Sequence, residues 1–151
     1  MTDRVSVQRL IPAPPEAIFE LLVDPARHVE IDGSGAVHAA RSGGRRLKLG
    51  DAFGMDMRAG VPYSTRNEVV EFEEGRRIAW RTLAGGPLGR LFGGRTWRYE
   101  LTPRDGGTLV RETWDLTTEA RASRLVIRRM AGMTRRNMER TLERIAEVVA
   151  G

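Results

Sequence analysis

Residues 121–150, RASRLVIRRMAGMTRRNMERTLERIAEVVA, decide the architecture. Ile127, Ala131, Thr134, Met138, Leu142, Ile145 and Val149 follow at steps of three or four, so they share one face of a helix. Arg128, Arg129, Arg135, Arg136, Arg140, Glu143, Arg144 and Glu147 fall largely on the other faces. The spacing predicts one helix over about 123–149, roughly 40 Å long at about 1.5 Å per residue. Such a helix must lie across the body of the domain. Its stripe is uneven. Leu142, Ile145, Val148 and Val149 are branched and suit a tight core. Met130, Ala131, Gly132, Met133, Thr134 and Met138 are small or soft, and methionine adapts to irregular gaps. The second half reads as core and the first half as the roof of a cavity.

The chain has 151 residues, which suits a single domain, 1–151. A domain of that size buries roughly 70% of its unfolded surface. The absence of cysteine excludes disulfides, thiolate zinc and a cysteine nucleophile. Thr2, Asp3, Arg4, Gln8 and Arg9 break any leader-like apolar run, and no stretch nears the ~20 apolar residues of a membrane span. The expected location is the cytoplasm, without integral membrane association. The net charge is +5, carried by 24 arginines and one lysine. A basic helix can meet nucleic acid or an anionic surface. However, Glu139, Glu143 and Glu147 stand at helical spacing from Arg135, Arg136, Arg140 and Arg144, which predicts a self-paired, solvated face. No nucleic-acid motif accompanies the charge, so no nucleic acid is expected as a partner. A homodimer is left open.

In chain order, Val5, Val7 and Arg9 alternate with Ser6, Gln8 and Leu10, a strand over 3–11. Pro14, Pro15 and Glu16 open a helix whose apolar face is Ile18, Phe19, Leu21 and Leu22. Asp24 and Pro25 stop it, and a second short helix is expected over 26–30. Strands then follow over 36–40, 47–58, 63–72, 77–83, 96–101 and 108–116. Turns at 73–76 and 103–107 make hairpins of the later ones. Strand, two helices, a run of strands and one long helix describe an α+β layout with an antiparallel sheet. The connection 85–94 is unusual: five glycines beside Leu88, Leu91 and Phe92 suggest packing on the body or a lid over a cavity mouth, ahead of contact with a membrane surface.

Strand alternation sorts the side chains. Trp97, Tyr99 and Leu101 share one face, as do Ile78, Trp80 and Thr82, and Val110, Trp114 and Leu116. The same phase puts Glu112 inward, a costly place for a carboxylate unless it is paired, protonated or beside a wet cavity. Phe53, Met55 and Met57 share a face of their strand. The phase of 63–72 stays open, because inward Phe72 and inward Val69 demand opposite registers. The predicted ligand cavity is therefore lined by Phe53, Met55, Met57, Trp80, Trp97, Tyr99, Glu112 and Trp114 from the sheet. Met130, Thr134 and Met138 complete it from the helix.

Several local phrases match a known family: 11–19 (IPAPPEAIF), 24–28 (DPARH), 31–35 (IDGSG), 67–72 (NEVVEF), 76–80 (RRIAW), 99–103 (YELTP) and 107–113 (GTLVRET). With the element order, they resemble the START-like, helix-grip superfamily of the birch-pollen allergen fold and the bacterial polyketide cyclase/dehydrase-like proteins. The resemblance implies a curved, seven-stranded antiparallel sheet gripping a long C-terminal helix, with a cavity between. It also implies a lipid- or polyketide-like ligand. No invariant catalytic motif spans that superfamily, so it carries over the cavity and no catalytic residue.

Three functions are expected in turn. The first is binding of a small hydrophobic or aromatic molecule. The second is cyclase/dehydrase chemistry in the same cavity, with Glu112 moving a proton and Tyr99 donating to a developing enolate. The third is an interaction role in which the basic C-terminal helix or the 85–94 loop meets a partner or a membrane. Pairing of Glu112 with an inward arginine or hydroxyl is the plainer account of that residue. No cofactor or metal is expected: His28, Glu30 and Asp32 match no ligand spacing. Ser34 lies in no nucleophile elbow, and the 33–35 turn reads as a rim of the cavity.

Overall fold

The computed structural model describes residues 3–41, 44–84 and 92–151. Its strands are β1 (Arg4–Ile11), β2 (Val37–Ala40), β3 (Ala52–Ala59), β4 (Val61–Glu73), β5 (Arg77–Ala84), β6 (Gly93–Arg104) and β7 (Gly107–Asp115). They form one seven-stranded sheet in the order β1-β7-β6-β5-β4-β3-β2, with every pairing antiparallel. The helices are α1 (Pro15–Leu22), α2 (His28–Ile31), α3 (Arg121–Arg128) and α4 (Ala131–Ala150). The α+β helix-grip layout expected from the sequence is thus present.

Local chemistry sets the boundaries. Prolines at 14 and 15 start α1, which buries Ile18, Phe19, Leu21 and Leu22. Asp24 then accepts a hydrogen bond from the Ala26 amide at 3.0 Å and starts a 3-10 turn, Pro25–Arg27, that runs into α2. The strand expected from 47 begins only at Ala52. Lys48 and Asp51 close a turn through Asp51 N–H to Lys48 C=O, and backbone bonds to β4 start only at its far end, with the Gly50 amide donating to the Val69 carbonyl and the Asp51 carbonyl accepting from the Val69 amide. Leu47 still enters the core, held by its amide on the Val23 carbonyl. In β4 both registers coexist. Asn67 and Val69 face inward, a bulge between Val69 and Glu71 shifts the phase, and Phe72 then packs edge-on against Phe19.

The single C-terminal helix predicted over 123–149 is two helices. Arg129 and Met130 donate to Val126 and Ile127, three residues back, and α4 opens with Thr134 donating to Met130. Each helix has its own anchor. The Ala120 amide bonds the Gly93 carbonyl and ties α3 to β6, whereas α4 packs across β1 and β7 and against α1 and α2. One straight rod cannot meet both anchors, and Gly132 weakens the helix near the join. The expected stripe holds in α4, which buries Thr134, Met138, Thr141, Leu142 and Ile145. Its arginines do not follow the expected self-pairing: Arg135 donates to the Ser6 carbonyl at 3.3 Å and Arg144 to the Glu30 carbonyl at 2.8 Å.

Gly33 marks the closest approach to α4. A Cβ there would lie 2.3 Å from the Asn137 carbonyl and 2.6 Å from the Thr141 amide. No larger residue fits without moving the helix backbone. The sheet's opposite face is ionic. Arg98 donates to Glu71 at 2.6 Å and reaches Asp115 at 3.5 Å.

Candidate functional site

Antiparallel register stacks the inward aromatics across neighbouring strands. Trp80 stands opposite Trp97, which stands opposite Trp114, and Ile78, Tyr99 and Glu112 form the next row. Ring centroids are 6.3 Å apart for Trp97–Trp114, 5.7 Å for Trp80–Tyr99 and 5.7 Å for Phe53–Trp80. His28 stacks on Trp80 at 5.0 Å, and its Nε2 donates to the Leu22 carbonyl at 2.9 Å. Burial pushes the His28 pKa down, so the ring is neutral and already engaged.

Glu112 is 2% exposed. Tyr99 Oη donates to its Oε1 at 2.5 Å, while Oε2 has no partner. Loss of hydration pushes the Glu112 pKa up to about 8; the Tyr99 hydrogen bond opposes the rise and the Asp32 charge adds to it. At neutral pH this carboxyl is mostly protonated. Burial and the neighbouring Glu112 raise the Tyr99 hydroxyl in turn. Trp114 Nε1 is the other inward polar atom left without a partner. Both orphan atoms are sealed by protein, so a substrate could reach Glu112 only if the core opened.

A cleft of about 350 Å³ separates α3 from the ends of β4, β5 and β6. Its walls include Tyr63, Leu83, Phe92 and Ile127, with Thr65, Arg95 and Ser123 as polar groups. Glu119 closes its base: its fully buried carboxylate accepts from the Arg95 amide at 2.9 Å, the Gly93 amide at 3.2 Å and the Arg95 guanidinium at 3.4 Å. Ser123 Oγ completes that shell. Along β6, Arg95, Trp97 and Tyr99 share one face, so a line runs from the cleft inward past Trp97 to the Tyr99–Glu112 pair. Asn67 sits on the same inner surface, accepting from Thr82 Oγ1 at 2.7 Å and donating to Thr65 Oγ1 at 3.3 Å.

Of the residues singled out in the sequence, Phe53, Met55, Trp80, Tyr99, Glu112, Trp114, Thr134 and Met138 come together in a packed core. Met57 and Trp97 are half-buried at its margin, and Met130 is exposed at the α3–α4 join. None of them lines the cleft. The arginine and glutamate that organise it, Arg95 and Glu119, were missed. Arg95 was legible, because it extends the Trp97–Tyr99 phase by one step. Glu119 lies between elements, where no periodicity speaks. The apolar part of the 85–94 connection, residues 85–91, lies outside the described residues, while Phe92 reaches the cleft rim.

A seven-stranded antiparallel sheet with its inner face turned to a C-terminal helix defines a helix-grip protein. A family model described as polyketide cyclase / dehydrase and lipid transport matches residues 2–150, and the chain belongs to that family. The uncharacterized protein Rv0088 of Mycobacterium tuberculosis is 30% identical over 153 residues, covering 97% of this chain. The chain spans only 64% of that relative's length. Protein CV1439 from Chromobacterium violaceum has the same fold, with a TM-score of 0.77 at 17% identity over 100% of this chain and 99% of that one. The AHSA1-like protein from Aeromonas hydrophila matches with a TM-score of 0.65 at 18% identity, covering 96% and 93%. Among the described residues, no helix is long and apolar enough to cross a membrane.

Proposed function

We propose that the chain binds a small hydrophobic or aromatic molecule, lipid- or polyketide-like, in the cleft beneath α3. The carrying observation is the cleft itself: about 350 Å³, mostly apolar walls and few polar groups. Tyr63, Leu83, Phe92 and Ile127 suit a flat or chain-like apolar body. The Arg95 guanidinium, 25% exposed, suits its polar end, a carbonyl or carboxylate. The family's description, which includes lipid transport, supports this class of ligand.

Cyclase/dehydrase chemistry is the second reading, favoured by the Tyr99–Glu112 pair. A carboxyl with its pKa near 8 is suited to proton transfer at neutral pH. The sealed position of Glu112 makes it the weaker reading, because an acid must come within hydrogen-bond reach of its substrate.

The test is titration with anilinonaphthalene sulfonate, read by dye emission and tryptophan quenching, followed by displacement with oleate and flat polyphenols. Saturable binding that falls about tenfold or more in Phe92→Asp or Ile127→Asp is expected. Undiminished binding in both variants would sink the cleft as the site. Organic extraction and mass spectrometry of the purified chain would then name the ligand.

A further inference from the structure

The roof of the cleft has two faces. Ser123 and Ile127 line the cavity, while Leu125 and Val126 on the same helix are 68% and 63% exposed. Leu125 lies about 200° around the helix from Ile127, so it points away from the cleft. α3 buries none of its residues. Six of the eleven large apolar side chains exposed among the described residues lie on α3, just past its end or on the lining of the cleft: Leu125 and Val126, Met130 and Met133, Tyr63 and Phe92. Such concentration marks an interaction surface rather than scattered apolar exposure.

The charge there has one sign. Residues 121–136 carry six arginines and no aspartate or glutamate. Arg128 pairs with Asp3, and Arg124 donates to the Thr117 and Glu119 carbonyls. Arg121, Arg129, Arg135 and Arg136 are exposed. A second copy of the chain would oppose arginine with arginine. A helix of eight residues, about 12 Å long, also offers far less than the ~800 Å² per side of a standard protein interface. A convex apolar ridge set among arginines instead fits an interfacial helix, with leucine and valine below the headgroups and guanidinium groups on the phosphates.

We infer that α3 docks the protein on an anionic lipid surface through the face it turns away from the cleft. This docking rests on the ligand-binding reading for its purpose, since it would hold the roof of the cleft at the bilayer, where a lipid-like molecule could pass around the edge of α3.

The test is sedimentation of the full chain with vesicles of phosphatidylcholine alone and of phosphatidylcholine with phosphatidylglycerol. Binding to the anionic vesicles should exceed binding to the neutral ones about tenfold and weaken at high salt. Leu125→Glu with Val126→Glu should lower it about tenfold or more, and the uncharged pair Leu125→Asn with Val126→Asn several-fold. Both positions are exposed, so the fold and dye affinity should not change. Equal binding to both vesicles, undiminished binding of the asparagine pair, or capture by polyglutamate without vesicle binding would overturn the docking. Dye binding without vesicle binding would sink the docking alone. Vesicle binding without dye binding would sink the ligand reading alone.

Discussion

α3 and α4 are consecutive arginine-bearing helices with opposite fates. α4 buries five side chains against the sheet and the short helices, and Gly33 lets the chain pack directly on its backbone. α3 buries none and leaves a cleft beneath it. The grip is closed at one end and open at the other. The two helices are also held differently. A broad apolar face holds α4, and a few polar bonds around Glu119 hold α3.

The largest effect expected of this contrast lies in the closed interior. The Glu112 pKa is raised from an ordinary 4.5 to about 8, so the folded state holds the proton more tightly than the unfolded state. Its contribution to stability is therefore full below about 4.5 and is lost as pH rises through 8. His28 has the opposite sign: its pKa is lowered from 6.5, so its contribution is present above that value and lost below it. Above pH 6.5 only the Glu112 slope remains. Native stability should fall from pH 6.5 to 8, and Glu112→Gln should flatten the fall, gaining roughly 4 kcal/mol at the upper end. Denaturant titrations at several pH values check this. A flat native profile over that window would mean that Glu112 is not enclosed.

Next is Gly33→Ala, expected to cost roughly 3 kcal/mol because its Cβ meets helix backbone rather than a yielding side chain. Dye binding at the open end should survive in whatever fraction stays folded. A neutral result by thermal melting would show that α4 is not firmly seated.

Glu119→Ala tests the open end, where the Gly93 and Arg95 amides would lose a buried acceptor. A loss of about 2 kcal/mol is expected, with several-fold weaker dye binding as the base of the cleft loosens. Unchanged affinity would separate the cleft from its polar anchor. The smallest effect belongs to Ile127→Ala, about 1 kcal/mol in stability because the side chain is only partly buried, but clear in dye affinity. Equal loss in both would make α3 ordinary core.

The closed end was legible in the sequence because two periodicities agreed there. The 3.6-residue stripe Thr134, Met138, Leu142, Ile145 and the two-residue alternation Trp97, Tyr99, Leu101 each describe an apolar face that needs the other. Inward Glu112 followed from phase alone, and its partner is a hydroxyl from the next strand. The break near Met130 was not legible, since residues 123–149 keep helical spacing throughout and only tertiary anchors divide them. The β4 phase stayed open because a bulge lets two registers coexist. The cleft under α3 gave little signal in the sequence, because Glu119 lies between elements and Arg95 stands at the start of its strand. The soft and aromatic residues that periodicity singles out pack together on the inner face instead, away from that cleft.

The pairing of β1 with β7 has a kinetic consequence. Arg4 and Asp115 are bonded across 111 positions of sequence, while β2 to β7 pair with neighbours along the chain. Closing a loop of ~100 residues costs about 4 kcal/mol of chain entropy, far more than closing a hairpin. On the ribosome, at roughly 5–20 residues per second, β1 must wait about 6–20 s before its partner exists. Through that interval Val7 and Ile11, destined for the core, have no sheet to join. The first strand made is thus the last to find its place.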